Sequence, residues 1–235
     1  MDKPGEDSTT RKISEPNSMK FNKEKARRVF LGSCEPLTSN LILTPISEIY
    51  KEIKKYYSVI KETKGWWYFL KLSIDSEQIA VIKAPYGSYI RDCLEVVNPK
   101  DVKRIIFLGY CGSLNQKLRI GDVVIPKISV CQSSKIESPL KVKNRYVIAK
   151  SSHILLGASI LQKMRKRGID FLDMETYYLY KWGKKNNVSI LPMLIVTDQP
   201  LSRPFFLCSK NDIASIKRSI GRIVRGLKNI DLKCQ

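Results

Sequence analysis

Three features of this 235-residue chain combine residue type and setting in a way that suits chemistry. Asp198 follows the most apolar stretch, Ser189–Thr197, which is interrupted only by Pro192. A carboxylate placed after an apolar strand is partly desolvated, which raises its pKa and suits it to donate a proton. Glu175 lies in Asp173-Met174-Glu175-Thr176, where a short strand over Ile169–Leu172 passes into a helix. A carboxylate at such a junction can accept hydrogen bonds from vicinal hydroxyls. The third feature is the pair Gly109 and Gly112, which follows the apolar run Ile105–Leu108 inside Arg104–Pro126. This spacing predicts a strand that ends in a side-chain-poor turn, through which backbone N–H groups can approach a ligand. Each feature also has a plainer reading: a loop cap for Asp198, a first-turn dipole partner for Glu175, and a structural turn for the glycines.

The elements that must position these residues follow from pattern. Polar, Ser/Thr/Pro/Lys-rich residues open the chain, and 1–36 is expected to be a flexible tail. Residues 37–235 are expected to form one α/β domain. Leu41-Ile42-Leu43 reads as a strand, and Thr44-Pro45 as the start of a helix whose apolar face is Ile46, Ile49 and Ile53. Trp66–Ile74 and Gln78–Ala84 read as a hairpin of strong β-formers. Ser88 is placed to cap a helix over Tyr89–Val97. Beyond Arg104–Pro126 the chain reads as extended to Cys131, a surface loop over Gln132–Lys143, a strand over Arg145–Ala149 and a helix over Ile154–Arg167. A helix from Thr176 to Lys185, a loop over Leu201–Ser209 and an amphipathic helix with the stripe Ile213, Ile216, Ile220, Ile223 and Leu227 complete the order. In an open α/β sheet, ligands sit at the carboxyl ends of strands, which is where Gly109–Gly112, Glu175 and Asp198 all fall.

Composition narrows the function classes. The chain has six cysteines and one histidine. No Cys-x-x-Cys spacing occurs, which argues against a zinc site and predicts no metal. Most of the cysteines sit among apolar residues, as in a reducing compartment. No run approaches a membrane span and no secretory leader opens the sequence, so a cytoplasmic protein without a membrane partner is expected. Lys and Arg outnumber Asp and Glu 42 to 22, a net charge of +20. That excess fits an anionic ligand or nucleic acid, but no nucleic-acid motif accompanies it, and nucleic acid is not the expected partner.

Two segments carry a family resemblance. DVKRIIFLGYCGSLNQKLRIGDVVIP and FLDMETYYLYKWGKKNNVSILPMLIVTD resemble the two signatures of the nucleoside phosphorylase/nucleosidase superfamily, which includes purine nucleoside phosphorylases, uridine phosphorylases and methylthioadenosine/adenosylhomocysteine nucleosidases. The resemblance runs from Leu41 to about Pro200. It implies a three-layer α/β/α fold around a central mixed sheet, a small-molecule nucleoside as partner, and a homo-oligomer. It also implies residue roles. Glu175 would accept hydrogen bonds from the ribose 2′- and 3′-hydroxyls, and Met174 would pack on the sugar. Asp198 would protonate N7 of a departing purine. Gly109, Tyr110 and Gly112 would face the nucleoside, and Phe205 would close over the base or fill a subunit interface.

The departures from that pattern bear on the reaction. Phe107 and Tyr110 stand where phosphorylases of the superfamily place an arginine and a Ser or Thr. Thr44-Pro45-Ile46-Ser47-Glu48 stands where they carry a Gly-Asp-Pro-x-Arg phosphate loop. Glu48 falls close to the glutamate with which hydrolytic members activate water. The expectation is therefore hydrolytic or diverged cleavage of a purine N-glycosidic bond, with no cofactor. The alternative is phosphorolysis with inorganic phosphate as co-substrate, held by Arg91 or Arg203. A non-catalytic nucleoside- or nucleic-acid-binding protein is the reading from another class.

Overall fold

A computed structural model describes residues 22–140, 144–152 and 155–230. The polar opening segment is shorter than expected. Lys23–Leu31 forms helix α1, whose first turn is capped by the Asn22 side chain accepting the Lys25 N–H at 3.0 Å. Ala26 and Leu31 are buried and Phe30 stacks on Trp67. One apolar edge in a basic stretch is enough to seat this helix against the body. The tail expected over 1–36 is corrected to this extent, and residues 1–21 lie outside the described residues.

Strand β1 (Asn40–Thr44) is buried throughout and leads into α2 (Ser47–Tyr56). Thr44 does not cap this helix; its hydroxyl accepts the Ile46 N–H at 3.1 Å and bends the chain ahead of it. β2 (Ser58–Lys64) was not legible, because its SVIKETK sequence is charged and it lies exposed at the sheet edge. β3 (Tyr68–Ile74) and β4 (Glu77–Lys83) form the expected antiparallel hairpin, turned by Asp75 and Ser76 at φ 46° and 69°. α3 (Ile90–Val96) follows a short 3-10 turn, without a side-chain cap from Ser88.

β5 (Arg104–Ser113) overturns the expected glycine turn. The strand runs straight through Gly109 and Gly112, and neither has a positive φ. Packing requires these glycines instead. A Cβ on Gly109 would lie 2.6 Å from the Phe107 ring, and one on Gly112 would lie 3.0 Å from Pro200 and 3.3 Å from Asp198 Oδ1. Phe107 is fully buried and its ring has nowhere to move. Gly109→Ala is therefore expected to destabilise the protein by about 1–3 kcal/mol through overpacking. Urea denaturation reads this as a lowered midpoint; an unchanged midpoint would refute the packing account.

The remaining elements are β6 (Val123–Val124), β7 (Ile128–Cys131), β8 (Ser134–Glu137), β9 (Val147–Lys150), α4 (Ala158–Lys166), β10 (Phe171–Asp173), α5 (Thr176–Asn186), β11 (Ser189–Asp198) and α6 (Lys210–Gly226). β8 pairs with β7 inside the stretch read as a surface loop. α4 begins at Ala158 rather than Ile154. α6 starts in a Ser209/Asp212 capping box, and Ile213 in its first turn is exposed, while Ile220, Ile223 and Leu227 are buried as expected.

The sheet is mixed, in the order β2-β3-β4-β1-β5-β10-β9-β7-β8, with β11 on β5 and β6 on β11. Alternate residues of the central strands feed two cores. Leu41, Leu43, Ile105 and Phe107 pack with α1, α3 and α5, while Ile42, Ile106 and Leu108 pack with α2 and α6. The result is the three-layer α/β/α architecture around a mixed sheet. No described helix is long and apolar enough to cross a membrane.

Candidate active site

One edge of β5 carries β11 from Arg104 to Gly112, with a bulge at Thr197. On the other edge β1 pairs with Arg104–Phe107, and β10 joins only at Gly112 and Ser113. Leu108–Cys111 therefore faces a gap where β1 and β10 part. Such a divergence of strands opens a crevice at their ends. β1 leads to Glu48 from one side of this gap, β10, antiparallel to β5, leads to Glu175 from the other, and β11 leads to Asp198, so the sheet brings all three carboxylates around the gap.

Glu175 is buried. Its Oε1 accepts the Gly87 N–H at 2.6 Å and its Oε2 the Met174 N–H at 3.3 Å. Gly87 has φ +62°, and a Cβ there would press on the Met174 side chain at 3.3 Å. Glycine at 87 thus serves both the left-handed backbone and the close approach of the two loops. Asp173, also buried, opens α5: its Oδ2 accepts the Thr176 N–H at 2.8 Å and the Thr176 hydroxyl. Among the described residues its buried Oδ1 has no hydrogen-bond partner. Burial pushes the Asp173 carboxyl above the usual range. Burial and then the Asp173 charge do the same to Glu175. These are two carboxyls that resist being charged together.

Asp198 ends β11 opposite Gly112. The Thr197 hydroxyl donates to its Oδ1 at 3.1 Å. Burial raises its pKa, and hydrogen bonds from Thr197 and the Phe205 N–H act against that rise. Beside it lies a cleft of about 200 Å³ walled by Leu156, Leu161, Pro200, Pro204, Phe205 and Phe206. This is a partly desolvated acid at the mouth of an apolar slot.

Glu48 is exposed in the first turn of α2. Its charge bears on two phenols. Tyr110 is pushed up to about 12, by burial first and then by Glu48 and Tyr86. Tyr86 is raised by burial, then by Glu48 and Glu175. The charges of Glu48 and Glu175 thus both act on Tyr86. Gly112 lies under Asp198 and Pro200, whereas Gly109 lies beneath the Phe107 ring and is part of the core. Phe205 is 47% exposed at the rim of the cleft.

No family model matches the chain. Two proteins are similar in sequence. The DeoD-type purine nucleoside phosphorylase of Lactococcus lactis is 26% identical over 132 residues, 46% of this chain and 56% of that protein. The Bacillus subtilis DeoD-type enzyme is 24% identical over 180 residues, 66% of this chain and 73% of that protein. The first match thus spans little more than half of its relative. Solved structures agree over much more of the chain. The native futalosine hydrolase of Helicobacter pylori superposes with a TM-score of 0.69 at 16% identity, covering 82% of this chain and 96% of that one. The 5′-methylthioadenosine/S-adenosyl homocysteine nucleosidase of Campylobacter jejuni gives 0.69 at 14% identity, covering 84% and 100%. The uridine phosphorylase of Vibrio fischeri gives 0.67 at 12%, covering 82% and 91%. The chain has the nucleoside phosphorylase/nucleosidase fold.

On this superfamily fold the departures noted in the sequence take physical form. Phe107 is fully buried and faces the core shared with α1, α3 and α5. The half-buried Tyr110 packs on the opposite layer. Arg203 pairs with Asp212 at 3.0 Å. Arg91 donates from Nε to the Ser88 carbonyl at 3.2 Å. Sequence reading missed Gly87, Asp173, Thr176 and Tyr86. The Asp173-x-x-Thr176 spacing at a helix start was the available signal for two of them. Gly87 and Glu175 are 88 positions apart, and no local pattern could have joined them.

Proposed function

We propose that the protein cleaves the N-glycosidic bond of a purine nucleoside by hydrolysis. The observation that carries this reading is the pairing of a buried, backbone-anchored Glu175 with a desolvated Asp198 at the ends of β10 and β11. Glu175 uses its N–H contacts for position and keeps acceptor capacity for the ribose 2′- and 3′-hydroxyls. As the C1′–N9 bond breaks, its electron pair passes to the purine and positive charge grows on the sugar. Asp198, whose burial favours the protonated form, transfers its proton to N7 and neutralises the leaving group. Water then adds to C1′, and its proton passes to Glu48. Glu48 then releases that proton to solvent and Asp198 takes one up, so base and free ribose are the net products and both carboxyls return to their starting states.

Hydrolysis rather than phosphorolysis is favoured by the position of Phe107. Its ring is core, not crevice, and it supplies no charge for an anion. Incubation of the purified protein with adenosine, inosine and guanosine, with and without inorganic phosphate, tests the proposal. Base release is expected in the absence of phosphate, with free ribose as co-product. Release that depends on phosphate and yields ribose 1-phosphate would replace hydrolysis with phosphorolysis.

A further inference from the structure

Two cations that the mechanism does not use meet on one ring. The Arg91 guanidinium lies 5.2 Å from the Tyr178 ring centroid, and the Lys150 ammonium lies 5.1 Å from it. Arg91 belongs to the start of α3, Lys150 ends β9, and Tyr178 lies in the first turn of α5, so the fold assembles them from three separate segments. The Tyr178 hydroxyl raises the Lys150 pKa, while the nearby Arg91 charge opposes that rise; the two cations are close enough to repel. Among the described residues, neither is within ion-pair distance of a carboxylate. The Tyr178 ring thus gathers two positive charges from separate segments at one place, where a single anion can reach both.

Their position ties them to the crevice. Arg91 holds the Ser88 carbonyl, and the adjoining Gly87 N–H holds Glu175. The Tyr178 N–H donates to the Glu175 carbonyl at 3.0 Å. Lys150 is the cross-strand partner of Asp173. The cation pair is therefore carried by the same segments that position Glu175, the carboxylate assigned to the ribose hydroxyls.

We infer that Arg91 and Lys150 form an anion subsite for a phosphate on the sugar, so that the substrate class is a purine nucleoside 5′-monophosphate. The inference rests on the Glu175 role proposed above: with the 2′- and 3′-hydroxyls held there, the 5′ oxygen is the remaining ester position. A phosphate between the cations takes charge-assisted hydrogen bonds from both and relieves their repulsion, while the Tyr178 ring keeps the two side chains in place. The net charge of +20 further favours the approach of an anionic substrate.

The test compares adenosine, adenosine 5′-monophosphate and inorganic phosphate on the full-length protein, by base release and by thermal shift. Wild type is expected to prefer the monophosphate in kcat/KM by roughly ten- to a hundredfold, as two charge-assisted contacts allow. Arg91→Gln and Lys150→Gln should each cost about tenfold more with the monophosphate than with adenosine, and Lys150→Arg should keep the preference. The monophosphate should also raise the melting temperature more than adenosine does, through both cations. If that shift is seen without base release, the subsite stands and the glycosidase reading falls. Equal handling of adenosine and monophosphate, or no shift with either, overturns the subsite. Inorganic phosphate stabilising as strongly as the monophosphate at equal concentration overturns it too, because the ligand would then be free phosphate.

Discussion

Asp198→Asn is expected to lower kcat for base release by roughly 10²–10⁴-fold, the range over which a positioned acid contributes. The fold should survive the change. Asparagine keeps the shape of aspartate, and its carbonyl oxygen can accept the same Thr197 hydroxyl and Phe205 N–H that now reach Asp198. What it cannot do is give a proton to N7. The purine then leaves as an anion in a slot walled by Leu156, Pro204 and Phe205, where an uncompensated charge is costly. Circular dichroism and the urea midpoint should match wild type while single-turnover base release collapses. An Asp198→Asn protein that retains full activity would remove Asp198 from the chemistry and shift the search for the acid elsewhere in the crevice.

Glu175→Gln is expected to act in opposite directions on activity and stability. An ionised carboxylate that accepts two hydroxyls is replaced by an amide with one acceptor, and kcat/KM should fall by about a hundredfold. Stability should move the other way at neutral and higher pH. Burial holds the folded pKa of both Glu175 and Asp173 above the unfolded values, and the Asp173 charge raises Glu175 further. Below the unfolded carboxylate range, near pH 4, both states are protonated and the pair has no effect. As pH rises from there, the unfolded chain ionises first and is favoured, so wild-type stability falls until the folded carboxyls ionise as well. Glutamine removes one of these charges while its carbonyl still accepts the Gly87 N–H. The urea midpoint of Glu175→Gln should therefore exceed that of wild type at pH 8, and the difference should shrink as pH falls towards 4. A variant less stable than wild type at pH 8 would show that the carboxylate is anchored well enough to support the fold, against the strain described here.

Much of this arrangement was legible in the chain. The apolar runs of β5 and β11, the strand–helix junction at Asp173–Thr176, and Asp198 at the end of its run are local patterns. Period and composition mark them, because a strand buried on both faces has to be apolar. The same patterns placed Glu175 and Asp198 at strand ends, and the two quoted segments pointed to the fold that the superposed structures share. β2 was hidden because an exposed edge strand needs no apolar alternation, and α1 because only one of its edges is buried.

The tertiary structure alone decided what the glycines do and which groups meet. Gly109 and Gly112 read locally as a turn. In the fold they extend β5, because the Phe107 ring and the Pro200–Asp198 corner occupy the space that side chains would fill. The contacts that join the site's segments link positions far apart in sequence: Gly87 with Glu175, and Arg91 and Lys150 over Tyr178. The sequence by itself determined the strands, their order of burial and the carboxylates at their ends, since these follow from short-range periodicity. Which carboxylate is desolvated and which neighbour shifts it are set by packing around the gap between β1 and β10, and that gap exists only once the sheet has formed.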